Sequence, residues 1–356
     1  MTQESISATR TNRWLALLLM FTGFGAIPSA WSHHSFSEFD QQRTIEVSGT
    51  VTDVAWQNPH VRLKVQSQEN GKLVTWDIEC HSVGILSRSN VNPKLLKAGD
   101  RVKIAGNPSK VSATRMFATN LLPSSGEELV LAPGAPPHWQ TGAAGFRAAS
   151  TDASAAPAPG AGIFQVWSSS FDDPAASPFA LWSGPMPLTP AAKKALAAWD
   201  PVHQTVAHGC DPKGMPTIME QPYGMQFENH GSTIVLRIEE YDTVRTIHIS
   251  DGASAPSTKS LLGHSVGKWE GATLVVTTTG ISWPYIAPSG LPQGPSSKMV
   301  ERFIPSGDGK RLDYSVTITD PQTFTEPAVL KRAWVWRPTE RVQHYACGSR
   351  RKIDEK

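Results

Sequence analysis

The first chemical signal in this chain is charge where a β-strand should be apolar. In Met299-Val300-Glu301-Arg302-Phe303-Ile304, alternation puts Glu301 on one face with Met299 and Phe303, and Arg302 on the other with Val300 and Ile304. Arg332 likewise shares a side with Leu330, Trp334 and Trp336. A buried charge without a partner is costly. Glu301 and Arg332 are therefore expected to pair or to face a polar pocket, either as a structural ion pair or as ligand-binding and catalytic groups. Gly263-His264-Ser265-Val266-Gly267-Lys268-Trp269-Glu270-Gly271 would add Glu270 and His264 as an acid and a base at the pocket rim. Adjacent His264 and Ser265 diverge on a strand, which speaks against a Ser/His nucleophilic pair, and no nucleophile elbow occurs. Trp269, between turn glycines, would close the base of a barrel. Trp283 sits in a Gly- and Pro-rich stretch, 280–295, read as a surface loop or a lid. Together with Trp334 these tryptophans would line a ligand pocket.

Histidine is the second signal. Residues 1–32 read as a secretory leader, with Arg10 and Arg13 ahead of an apolar core at 14–24 and a small-residue exit at 25–32. That core is shorter than the roughly 20 residues of a spanning helix, so no stable membrane span is expected after processing. Cleavage after Ser32 would make His33 the N-terminus, where amine and imidazole chelate together with His34 beside them. Cleavage after Ala30 would make His33 the third residue and create a square-planar nitrogen site. Both products suit copper(II). His60 and His81 would supply further ligands if the fold brings them close; the alternative is a solvated tail at His33 and His34 and a turn cap at His60. Export to the periplasm or beyond also allows disulfides. Cys210 and Cys347 lie 137 residues apart at the two ends of one β-rich stretch, and their bridge would add about 4 to 5 kcal/mol on the chain-entropy view. Cys80 would remain a buried free thiol.

The elements that must hold these groups are strands. Gly and Pro number 28 each, charged residues are 18% and hydrophobic ones 39%, a composition of strands and turns rather than helical bundles or disorder. With 33 basic against 31 acidic residues, no basic field exists to hold a phosphate backbone, and nucleic acid is not expected as a partner. Alternating runs at 44–55, 61–65, 73–78, 102–105 and 116–122, a helical element near 82–86 and an Asn70-Gly71 hairpin predict a five-stranded OB-like barrel over 33–132. Residues 133–162 read as a linker rich in Pro, Ala, Gly and Ser. Residues 163–210 are irregular apart from one helix with Thr189 as N-cap and Pro190 at its first position. Residues 211–350 carry eight or nine strands, clearest at 233–238, 243–249, 273–278, 299–304, 312–319, 329–336 and 341–345. They predict an antiparallel lipocalin-like barrel, with a sandwich as the alternative.

The stretch His33-His34-Ser35-Phe36, Phe39-Asp40 and Trp56-Gln57-Asn58-Pro59-His60 resembles the N-terminal module of a family of secreted bacterial proteins of unknown function. The segment 263–271 and Val300-Glu301-Arg302-Phe303 resemble a second uncharacterised module. The resemblance implies export and a two-module layout, and it supplies no reaction. Leaders of the family usually end in a small-x-small site, whereas here Trp31 intervenes. No phosphate loop, paired-cysteine zinc spacing or zinc-protease helix is found. Three readings follow. The chain is an exported protein binding a small, largely apolar ligand in the C-terminal barrel; or an enzyme using that pocket, with Glu301, Arg332, Glu270 and His264 moving protons; or a copper handler centred on His33. The fold alone does not rank binder against catalyst. Oligomeric state is not legible.

Overall fold

The computed structural model describes residues 37–88, 91–124, 126–139, 144–145, 156–207, 209–220, 222–249 and 258–348. The expected leader, its cleavage sites, His33 and His34 lie outside them.

Strands β1 (Ile45–Ala55), β2 (Arg62–Glu69) and β3 (Lys72–Glu79), helix α1 (Val83–Arg88), and strands β4 (Arg101–Pro108) and β5 (Arg115–Pro123) build the first barrel. Antiparallel pairs join β1 to β2 and β4, β2 to β3, and β4 to β5; a parallel pair between β3 and β5 closes the ring. Alternation drives the closure, since Val51, Leu63, Val65, Ile78, Ile104, Met116 and Leu121 all turn inward into one apolar cluster. Asn70 and Gly71 take positive φ angles of 50° and 77°, as a two-residue turn matched to strand twist requires. Short strands β6 (Leu129–Val130) and β7 (Ala144–Gly145) extend the sheet from β5. The first residues of the expected linker are tied to this barrel: the Trp139 N–H donates to buried Glu128 at 2.9 Å, and His138 Nε2 lies 2.9 Å from Glu46.

The second barrel comprises β8 (Val166–Ser168), β9 (Met225–Asn229), β10 (Thr233–Ile238), β11 (Thr243–Ile249), β12 (His264–Glu270), β13 (Thr273–Thr279), β14 (Lys298–Pro305), β15 (Arg311–Thr319) and β16 (Ala328–Trp336). It closes in the order 10-11-12-13-14-15-16-8-9, so the sandwich is excluded. All neighbours are antiparallel except β11 and β12, which run parallel. β8 comes from the stretch expected to be irregular; three residues are too few for alternation to register. Helix α2 (Pro190–Ala198) starts as expected, with Thr189 Oγ1 accepting from the Ala192 N–H at 3.1 Å. Residues 341–345 form no strand. Their backbone is held by side chains instead, as where the Tyr345 N–H donates to Asp242 at 2.9 Å.

This barrel is packed along its axis. Phe227 on β9 meets Phe303 on β14, on the opposite wall, with ring centroids 5.1 Å apart; Tyr314 touches Phe303 and Trp334, each at 5.1 Å. A 3-10 turn, Thr217–Glu220, brings Met219 against the inward-facing Arg245 and Arg332 and plugs the interior. Small barrels fill in this way, each large apolar side chain contributing about 1.5–3 kcal/mol on burial.

The barrels meet through the loop between β1 and β2. The Asn58 N–H donates to Ala346 at 3.3 Å, and the Gly348 N–H donates to Asn58 at 3.1 Å. The Asn58 side-chain amide donates to the Tyr345 carbonyl, while its Oδ1 accepts from the Val83 N–H at 3.0 Å. Arg88 donates to the Pro222 carbonyl at 2.8 Å and pairs with Glu340 at 3.1 Å. The expected Cys210–Cys347 disulfide is present and anchors the same terminal segment.

Candidate functional site

Glu301 does face the apolar interior, and its partner is Arg245 rather than Arg332. Arg245 Nη1 donates to Glu301 Oε1 at 2.9 Å, and Nη2 donates to Oε2. Tyr314 donates to the carboxylate at 3.0 Å and Thr278 at 3.2 Å, while Ser265 accepts from Arg245 Nη2 at 3.0 Å. Burial works against the Arg245 charge, but Glu301 outweighs it and holds the guanidinium protonated; burial, followed by the Glu301 charge, pushes the Tyr314 phenol well up. Arg332 bonds elsewhere. Its guanidinium donates to the carbonyls of Met219 at 3.0 Å and Glu220 at 2.6 Å and to Ser169 at 2.6 Å, and it lies 4.6 Å over the Trp334 ring. Burial lowers its pKa to about 9. The Glu301 and Arg332 networks clamp the plug and the walls together.

The remaining sequence candidates scatter. Glu270 is exposed between Lys268 at 2.8 Å and Arg302 at 2.9 Å. His264 stands at the other end of β12, roughly 20 Å away by strand rise, so the pair cannot act on one molecule. Trp269 lies at the rim, 41% exposed, against Phe164. Trp283 is buried and donates to Thr217 at 2.9 Å, packing its loop on the plug. Trp334 belongs to the barrel core. His60 Nδ1 sits 3.1 Å from the Cys80 carbonyl and 3.7 Å from Glu79; His81 packs edge-on against Phe117. Among the described residues no group of three or more His, Cys, Asp or Glu could hold a metal ion. Cys80 is free and buried as expected, its thiol pushed up to about 12 by burial and by the Glu79 charge.

Two features went unread in the sequence. The first is a buried ionisable cluster where the barrels meet. Lys213 Nζ pairs with Glu240 at 2.9 Å, and the Tyr345 ring packs on Tyr223 and Tyr241 at centroid distances of 5.4 and 5.0 Å. Among the described residues Glu240 Oε2 has no hydrogen-bond partner. Burial raises the carboxyl pKa of Glu239 and Glu240, and that of Glu220 to about 7 in spite of Lys213 and Trp182. Tyr241 and Asp242 take φ of 58° and 49°, strain that only a well-determined surrounding holds in place. The sequence signal was slight: three acids and one tyrosine at 239–242 in a chain poor in tyrosine.

The second feature is a cleft of about 690 Å³ on the outer face of the first barrel. Register lines up Gln66, Thr50 and Arg101 in one row across β2, β1 and β4, and Ser48, Lys103 and Leu122 in the next across β1, β4 and β5. No acidic residue lines the cleft, and neither Arg101 nor Lys103 has an ion-pair partner within 4.0 Å among the described residues. The outward alternation of Arg101 and Lys103 was legible; the cleft was not.

Residues 24–117 match a family of unknown function, DUF6152, which covers the chain from the expected leader to the start of β5. No curated protein matches the chain. Among solved structures, two crystal forms of the mitochondrial single-stranded DNA-binding protein Rim1 from S. cerevisiae are similar over 23% of this chain. They share 11% and 10% identity, cover 92% and 94% of that protein, and give TM-scores of 0.20 and 0.19. A likeness so slight carries no argument about nucleic acid.

Proposed function

We propose that this chain is an exported binding protein whose ligand surface is the cleft on the first barrel, and that the ligand is a small polar anion. What carries the reading is the pairing of two exposed cations, neither in a close ion pair among the described residues, with hydroxyl and amide side chains in a cleft without carboxylates. Arg101 and Lys103 are two residues apart on one strand face, hence roughly 6–7 Å apart. That spacing suits a carboxylate or phosphate ester with one or two acidic groups, not a polyanion. Arg101 supplies a planar fork and Lys103 a point charge, while Ser48, Thr50 and Gln66 offer donors and acceptors to hydroxyl groups. The apolar-ligand reading needs a chamber where the second barrel places its aromatic core. Export rests on the leader-like N-terminus and is compatible with the disulfide.

Calorimetric titration with succinate, glucose 6-phosphate and neutral maltose tests the proposal. The anions should bind, more weakly as salt rises, and maltose should not. Arg101→Glu with Lys103→Glu should abolish binding and leave the melting temperature nearly unchanged. Binding of maltose alone, or anion binding unaltered by the double variant, would sink the idea.

A further inference from the structure

The two strands that run parallel in the second barrel bring together a pair of histidines. β11 alternates so that Thr243, Arg245 and Ile247 face inward and His248 faces out; β12 turns Ser265 and Gly267 inward and His264 out. Register places His248 beside Val266, so His264 is its diagonal neighbour on the outer face. The imidazoles lie with ring centroids 5.1 Å apart and planes inclined by 29°. Both are half-buried, and His264 Nε2 is shielded from solvent with no hydrogen-bond partner among the described residues.

We propose that His248 and His264 form a copper(II) site on the outer wall of the second barrel. A metal–imidazole bond is about 2.0–2.1 Å, so one ion joins two nitrogens up to about 4.2 Å apart. With ring centroids 5.1 Å apart, the two imidazoles are close enough for one ion to reach both once rotation about χ2 turns a nitrogen of each towards it. The unpartnered Nε2 of His264 supplies one donor and would gain, on binding, the partner it lacks. Among the described residues no group of three ligating side chains occurs, so these two imidazoles are the ligands proposed, with water in the other positions. Such a set does not suit structural zinc, which takes four protein ligands, or calcium, which takes oxygen. It suits copper(II), the tightest binder among the divalent ions for nitrogen donors and tolerant of a tetragonal arrangement with labile water. The strands on either side hold the ligands: Thr233 on β10 pairs with His248 and Thr279 on β13 with His264, so both flanks are fixed.

The test is titration of the full chain with copper(II) chloride, followed by visible absorption and electron paramagnetic resonance. His248→Gln, His264→Gln and His33→Ala with His34→Ala are compared with the unmodified chain. The expected result is one equivalent with nitrogen hyperfine structure from two imidazoles. Either Gln variant should weaken it by about tenfold or more, the His33/His34 variant should leave it in place, and the melting temperature should not change. Identical binding in both Gln variants, or a signal lost only with His33 and His34, would overturn the proposal.

Discussion

Arg245 and Glu301 show how much an interior charge depends on its surroundings. Each is essentially unexposed; Ser265 and Thr278 accept from the guanidinium, and Thr278 and Tyr314 donate to the carboxylate. Glu301→Gln leaves the guanidinium uncompensated in an apolar barrel and should lower stability by about 3–5 kcal/mol in urea denaturation. Replacing both, as Arg245→Met with Glu301→Leu, should recover most of that loss, because the penalty lies in the unpaired charge. A double variant no more stable than the single would show that the pair contributes beyond its own neutralisation. The inward position of Glu301 was visible from alternation. Its partner was not, although Arg245 carries the same mark between Thr243 and Ile247. Alternation names a face; it does not say which strand lies across the barrel.

At the level of elements, the loop between β1 and β2 is the joint of the molecule. Asn58 bonds to Tyr345, Ala346, Gly348 and Val83, and Cys347 in the middle of that segment is tied to Cys210. Asn58→Ala should cost about 1–3 kcal/mol, since the partners it abandons are partly buried. Hydrogen exchange should rise first at Val83, whose N–H loses its side-chain acceptor, rather than in the strands. Reduction of the disulfide, or Cys210→Ser with Cys347→Ser, should lower stability by up to about 4–5 kcal/mol for a closed loop of 137 residues. Unchanged exchange at Val83 in the Asn58 variant would mean that the side-chain bond does not hold that amide.

The whole molecule should respond to pH through opposing buried carboxyls. Glu220, Glu239 and Glu240 hold their protons more tightly folded than unfolded, because burial disfavours their charge. The stability they contribute is complete below the ordinary value of 4.5 and is lost as pH rises, through about 7 for Glu220. That residue alone corresponds to roughly 3 kcal/mol between the two limits. Glu79 runs the other way. Burial raises its pKa, but His60, Arg115 and Arg62 together outweigh burial and lower it, so its contribution is present above 4.5 and lost in acid. Denaturation midpoints should therefore fall from pH 5.5 to pH 8, and Glu220→Gln should flatten that slope. A slope unchanged in the variant would assign the pH response to other groups.

Local rules were enough for much of this protein. Strand alternation placed the five strands of the first barrel and most of the second; an Asn-Gly pair set a hairpin; Thr189 and Pro190 started a helix; and three cysteines in a chain with a leader-like start pointed to the bridge that forms. Each acts over a few residues, or through the ends of one long loop, and so survives in a linear reading. The filling of the second barrel, the meeting of Arg245 with Glu301, the cluster of acids and tyrosines between the barrels and the approach of His248 to His264 depend on which strands close the ring and which loop plugs it. Those choices are made by packing between segments distant along the chain, where side-chain volume and charge compensation are satisfied jointly and no short window of residues records the outcome.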